Sequence, residues 1–216
     1  MPAARVNPAD TAFIHRHLVP TSLSFRHDIL LYRPTPQSGL TRFLAERGRA
    51  DRPPYWAYAW AGGAALSLHL QAHPGLVTDR VVVDFGAGSG LVGIAAARAG
   101  AGKVWAIDPD PIAHAALTLN AEANGVAIEL WEGPDLPRVD LILAGDVFYD
   151  ADVAAHALPI LAAAAAPVLI GDPFRHDLPL AKLDQIAEYE VPDMGGDPPV
   201  RAGIFALHGA NIGNVP

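Results

Sequence analysis

From residue 81 onward, short apolar runs alternate with longer stretches of helical periodicity. VVVDF (81–85) is a continuous apolar run, as expected of a strand buried on both faces. LVGIAAARAG follows with helical character and closes on a glycine. KVWAID (103–108) reads as a second strand. DPIAHAALTLNAEANG reads as a helix with an acid at its start and Gly125 at its end. AIELW (127–131) and DLILAGD (140–146) predict a third and a fourth strand. DADVAAHALPILAAAA predicts a helix in which Pro159 marks a kink or break. PVLIGDP (167–173) predicts a fifth strand and LAKLDQIA a short helix. EYEVP and RAGIFALHG close the chain as sixth and seventh strands, too near each other for an intervening helix, so they should pair antiparallel.

The pattern describes an α/β fold, a doubly wound seven-stranded sheet whose last strand is antiparallel. Residues 1–80 lack the alternation. They hold NPADTAFIHRHL, a proline-rich stretch and PPYWAYAWAGGAALSLHLQAHPG. We expect a helical, partly extended N-terminal extension (1–80) packed on a core (81–216) in a single domain, 1–216. A chain of 216 residues suits one domain of generous size.

Composition narrows the function classes. Hydrophobic residues make up 51% and charged residues 18%, which argues for a folded chain. Apolar runs stop short of the ~18 residues of a membrane span, so no membrane partner is expected. MPAARVNPADTAFIHRHL lacks a signal-peptide apolar core, and a cytoplasmic location is the expectation. The net charge is −8 with no run of Lys or Arg, so no nucleic-acid partner is expected. An acidic protein favours a cationic substrate, a weak pointer. Cysteine is absent, and HRH (15–17) reads as surface, so no metal site is expected.

Candidate chemistry begins at DFGAGSG (84–90), where the first strand ends. Ligands of doubly wound sheets bind outside the carboxyl ends of the strands, at the switch point. A phosphate-binding loop needs Gly-x-x-x-x-Gly-Lys-Ser/Thr, which does not occur here. The dinucleotide pattern Gly-x-Gly-x-x-Gly is met only by GSGLVG, two residues too far along. The spacing that fits is acid-x-Gly-x-Gly-x-Gly, made of Asp84, Gly86, Gly88 and Gly90, and it suits S-adenosylmethionine. That cofactor carries a methionine ammonium for Asp84 to face and a chain that can lie on bare glycine backbone. Asp108, at the end of the second strand, is placed to take both ribose hydroxyls, with Pro109 beside it.

PYWAYAWAGGAAL (54–66), ELWEG (129–133), DVFYD (146–150) and GDPFR (171–175) together resemble the lysine methyltransferases that modify the β-subunit of electron transfer flavoprotein. The resemblance covers most of the chain from about residue 54. It implies a Rossmann-like methyltransferase sheet, S-adenosylmethionine as cofactor and a lysine of that subunit as target. By the same resemblance Trp60 lines the cofactor's methionine end. Trp131 and Glu132 share the adenine role, because Glu132 is inserted in the family's tryptophan–glycine step. Asp146 and Tyr149 match the Asp-x-x-Tyr motif that receives the lysine. The chain departs from the pattern in GDPFR, where Phe174 stands in a glycine position.

The residues of DVFYD carry a reading of their own. Asp146 ends a strand at the same sheet edge as Asp84 and Asp108, where an incoming amine needs a carboxylate to hold and aim it. Tyr149 would wall the approach and face a cation with its ring. Two bland alternatives stand beside this: Asp146 caps the next helix, and Tyr149 is core. A small-molecule N-methyltransferase shares the cofactor half and is the competing function.

Overall fold

The computed structural model describes residues 6–194 and 196–208. Gly209, the last residue of the predicted seventh strand, lies outside them. The strands are β1 (Val19–Leu23), β2 (Arg26–Arg33), β3 (Val81–Phe85), β4 (Lys103–Ile107), β5 (Glu129–Leu130), β6 (Leu141–Gly145), β7 (Val168–Asp172), β8 (Leu183–Asp193) and β9 (Gly196–Leu207). The helices are α1 (Pro8–His17), α2 (Leu40–Glu46), α3 (Ala61–Ala72), α4 (Leu91–Arg98), α5 (Pro111–Ala123) and α6 (Ala151–Ala162).

Seven strands form one sheet in the order β5-β4-β3-β6-β7-β9-β8. β3 pairs parallel with both β4 and β6, and the strand order reverses direction there. β9 is antiparallel to both β7 and β8, as the short link between them requires.

The faces alternate residue by residue, as the pleat demands. Val82, Val104 and Leu143 join Leu66, Leu70 and Ile94 on the face covered by α3 and α4. Leu117 of α5 packs on Ala106 of that same face. Val83, Ile142 and Ile170 point the other way, toward Leu161 of α6 and Phe148. Of the named helices, three cover one face and α6 the other.

Three expectations are corrected. LAKLDQIA does not form a helix. One 3₁₀ turn (Leu180–Lys182) leads straight into β8. The strand read from EYEVP thus begins five residues earlier, and a register shift between Gln185 and Ala187 puts Leu183 and Val191 on opposite faces of the sheet. The third strand shrinks from 127–131 to two residues, Glu129–Leu130. Pro159 does not end α6, which continues to Ala162. Ala155, whose carbonyl the proline leaves without a donor, is exposed to water.

The N-terminal extension is more than helical. β1 and β2 form a separate antiparallel ribbon. Side chains of α5 stand in for a further strand beside it. The Leu30 N–H donates to Asn124 Oδ1 at 3.0 Å and the Tyr32 N–H to Asn120 Oδ1 at 2.7 Å. α1 stacks on α2 through Phe13 and Phe43, ring centroids 3.7 Å apart. Trp56 is 2% exposed among residues of α1 and α5, so it is a core aromatic.

Candidate active site

Four aspartates stand at or just beyond the carboxyl ends of parallel strands: Asp84 on β3, Asp108 after β4, Asp146 after β6 and Asp172 on β7. The edge they share is where the sheet opens between β3 and its neighbours.

The turn after β3 is built from left-handed glycines, with φ of 73° at Gly86, 50° at Gly88 and 79° at Gly90. A Cβ on Gly86 would stand 2.8 Å from Val147 Cγ1, so that glycine is demanded by packing. A Cβ on Gly88 would meet nothing nearer than 3.9 Å. Bare backbone there is not explained by crowding, and it fits a surface reserved for a ligand. Asp108 ties the turn to β4: its Oδ2 accepts from the Gly88 N–H at 2.7 Å and its Oδ1 from the Asp110 N–H at 2.8 Å. Each carboxylate oxygen has a second lone pair free for a hydroxyl. Burial pushes the Asp108 carboxyl above its ordinary range, opposed by those two N–H groups.

Asp84 lies beneath the turn. It is 1% exposed and its Oδ2 accepts from the Gly93 N–H in α4 at 2.8 Å. Burial raises its carboxyl to about 7.

Asp146 adopts φ 57°, a left-handed conformation that an aspartate tolerates better than bulkier residues. Its Oδ2 accepts from the Gly63 N–H at 2.8 Å and its Oδ1 from Arg175 Nη2 at 3.0 Å. Burial pushes this carboxyl up while the Arg175 guanidinium pulls it down. It is not the cap of α6. That role belongs to Asp150, whose Oδ1 accepts from the Asp152 N–H at 2.9 Å. Tyr149 is not core either, being 37% exposed.

Aromatic rings surround this carboxylate's approach. Tyr149 and Tyr55 lie 4.5 Å apart between centroids, and Tyr55 and Trp60 lie 5.4 Å apart. The Trp60 Nε1–H donates to the Tyr55 carbonyl at 2.8 Å, which fixes both. Burial raises the phenols of Tyr55 and Tyr149, so both stay neutral O–H groups.

The structure thus gathers Gly86, Gly88, Asp108, Trp60, Asp146 and Tyr149 at one edge of the sheet, with Gly90 closing the turn at the start of α4 and Asp84 just beneath. Trp131 follows β5 at the same end of the sheet, its backbone N–H donating to the Ala106 carbonyl of β4 at 2.9 Å. Its ring meets Trp105 edge-on at 5.1 Å and its Nε1–H donates to the Asp135 carbonyl at 2.7 Å. Glu132 and Pro109 are exposed.

Sequence reasoning missed three members. Tyr55 was visible only as one aromatic in PYWAYAW. Asp172 and Arg175 lie in GDPFR, where Phe174 is the residue that departs from the family pattern. The spacing of His69 and His73 was also overlooked. Their rings lie 4.6 Å apart, and His69 Nδ1 is 2.9 Å from the Tyr189 hydroxyl. The pair belongs to the far end of α3, and among the described residues no group of three or more His, Cys, Asp or Glu is placed to hold a metal ion.

The strand order, the antiparallel last strand and the glycine turn at the reversal of order define a Rossmann-like methyltransferase fold. Among solved structures, the chain is similar to magnesium protoporphyrin IX methyltransferase from Synechocystis PCC 6803 with bound SAH, with a TM-score of 0.51, 14% identity, 67% of this chain and 81% of that one. The family model described as Ribosomal protein L11 methyltransferase (PrmA) matches residues 65–152. The electron transfer flavoprotein beta subunit lysine methyltransferase of Xenopus laevis is 35% identical over 195 residues, covering 84% of this chain and 79% of that protein. The rat protein of the same name is 39% identical over 158 residues, which is 65% of this chain and 60% of the relative. The chain belongs to the electron transfer flavoprotein beta subunit lysine methyltransferase family. Its match spans about 60% of the length of the mammalian relatives.

Proposed function

We propose that the chain is an S-adenosylmethionine-dependent protein-lysine N-methyltransferase, with the electron transfer flavoprotein β-subunit as its substrate. The observation that carries this is Asp146. A carboxylate with a side chain 10% exposed is locked by the Gly63 N–H beside the glycine turn, with an exposed tyrosine next to it. Family membership supports the choice of nucleophile and of substrate.

The cofactor, when bound, supplies a methyl group on a positively charged sulfur. Gly86, Gly88 and Gly90 would lie along its chain, Asp108 would take the ribose hydroxyls, and Asp84 would face the ammonium end from beneath the turn. Trp60 would line the methionine end. Trp131 and Glu132 would border the adenine.

An unperturbed lysine has a pKa near ~10.4 and must lose a proton before its nitrogen can attack. Asp146 holds the incoming ammonium and orients it. Tyr149 and Tyr55 wall the channel with ring faces that favour a cation. Once the proton has passed to solvent, the nitrogen would hold a free lone pair, aimed at the methyl group that the cofactor would supply. Positioning at roughly 3 Å is the main contribution of the protein.

The test is incubation of the chain and the cofactor with purified electron transfer flavoprotein, followed by peptide mass spectrometry. Gain of methyl mass on a β-subunit lysine supports the reading. No methylated lysine, with methylation of a small amine instead, overturns it.

A further inference from the structure

Asp146 meets a cation already in place. Arg175 sits three residues past the end of β7 and sends Nη2 to Asp146 Oδ1 at 3.0 Å. The arginine is held from three directions. Its backbone N–H donates to Asp172 Oδ1 at 2.7 Å, and Asp172 is fully buried. Its guanidinium carbon lies 5.8 Å from the Trp60 ring centroid. The preceding Phe174, at φ 61°, rests edge-on against Phe205 at 5.5 Å.

We propose that Arg175 is a positioning residue for the reaction: it holds the Asp146 carboxylate ionised and aimed, so that the carboxylate can receive a cationic nucleophile. The proposal rests on the reading of Asp146 as the carboxylate that takes the lysine.

The geometry carries the argument. Asp146 has one oxygen on the Gly63 N–H and the other on Arg175. Neither oxygen could keep its place if the group swung toward solvent. A buried carboxyl prefers to be neutral unless a cation or donors oppose the burial. The groups facing Asp146 are few. From α3 come the N–H groups of Gly62 and Gly63, and the first turn of that helix has no acidic side chain. From β7 comes Asp172, whose own carboxyl is raised by burial and by the neighbouring Asp146 charge. From the turn after β7 comes Arg175, the cation that acts on Asp146. Without it, burial is opposed by N–H groups alone. A protonated Asp146 cannot hold an ammonium, and its hydroxyl would compete for the nucleophile's lone pair.

The positions also explain an oddity of this turn. Two buried atoms without partners lie here, Arg175 Nε and Asp172 Oδ2. Unpaired buried polar groups are costly. A turn kept at that cost, with a non-glycine residue at positive φ, is the kind of local strain that collects at functional sites.

The experiment uses Arg175→Gln and Arg175→Lys in the full chain. The pH dependence of kcat/KM on the protein substrate is measured beside a ¹³C-carboxyl NMR titration of the enzyme alone, with Asp146→Asn assigning the resonance. In Arg175→Gln the acid limb and the Asp146 resonance should both move up by about one pH unit or more. Turnover well above that limb should fall by no more than about 10-fold. Arg175→Lys keeps the charge and should restore the limb toward wild type. A uniform loss of activity at every pH, with the limb and the resonance unmoved, overturns the proposal. Should the Gln variant not fold, Arg175→Met repeats both readings. If wild type methylates no lysine, the functional reading fails, while the NMR arm still decides whether Arg175 sets the ionisation of Asp146.

Discussion

Asp146 Oδ2 accepts a 2.8 Å hydrogen bond from the Gly63 N–H, joining residues 83 apart in the chain. The bond is possible because α3 approaches the sheet with no side chains between. A Cβ on Gly62 would lie 2.1 Å from the Gly171 carbonyl oxygen. The paired glycines let a helix N-terminus, with its unpaired N–H groups and positive end, reach the carboxylate. AGG and DVFY are therefore two halves of one device.

Asp146→Asn is expected to separate chemistry from cofactor binding. Asparagine tolerates the left-handed φ of 57° and keeps an acceptor for Gly63, while its NH2 replaces the oxygen that Arg175 bonds, so a melt should accompany the kinetics. If this charge holds the ammonium as proposed, its loss should lower kcat by about 100-fold or more. Tyr149→Phe keeps the ring and should cost far less. Calorimetry with S-adenosylhomocysteine should stay within a few-fold of wild type for both. Near wild-type turnover in Asp146→Asn would remove Asp146 from the lysine site.

Two glycines of one turn should respond differently to alanine. Both have positive φ, a strain of about 1–2 kcal/mol for any residue with a side chain. At Gly86 the new methyl also stands 2.8 Å from Val147 Cγ1, and the melting temperature should drop clearly. At Gly88 it meets nothing nearer than 3.9 Å, so stability should fall less while cofactor affinity falls more. Melting curves and calorimetry on the pair check this; equal affinity losses at equal stability losses would contradict it.

Asp108→Asn should act on the cofactor rather than on the choice of nucleophile. A ribose contact as proposed would be the same in the ground and transition states, so its loss should appear as raised cofactor KM with little change in kcat. Asparagine keeps one oxygen, so one of the two backbone N–H groups at 2.7 and 2.8 Å loses its acceptor. A modest fall in stability, about 1 kcal/mol, should accompany the change in KM. Steady-state kinetics varying the cofactor, with a melt beside them, give both numbers.

Stability should depend on pH through two buried acids. Asp84 and Asp172 titrate at about 7 in the fold, against 3.8 in their ordinary state, chiefly because of burial. Between those values the folded chain keeps a proton that the unfolded chain has released. Stability is therefore greatest below the lower value and is lost as pH rises through the window to about 7. Asp84→Asn cannot ionise and should flatten this dependence. Urea melts at a series of pH values test the sign; a wild-type stability that rises across the window would refute it.

The strand and helix order was legible in the sequence because parallel strands buried on both faces must be apolar throughout, and glycines and caps mark where they end. VVVDF became β3 residue for residue, and Asp110 caps α5 as the acid at its start implied. The glycine turn was legible for the same reason: only glycine occupies three positive-φ positions within five residues cheaply. Asp84, Asp108 and Asp146 were visible as acids at strand ends. The roles of their oxygens were not visible, because hydrogen-bond partners arrive from distant parts of the chain. Tyr55 joins Tyr149 across 94 residues and Arg175 joins Asp146 across 29. The misread helix at LAKLDQIA has a similar cause: Leu180, Leu183 and Ile186 recur every third residue, a helical spacing, and only the pairing with β9 makes the segment a strand. Sequence by itself determined the sheet, the turn and the acids, since those depend on local periodicity and backbone sterics. Tertiary structure alone decided which oxygen faces which donor, because burial and charge pairing act between segments that only the fold brings together.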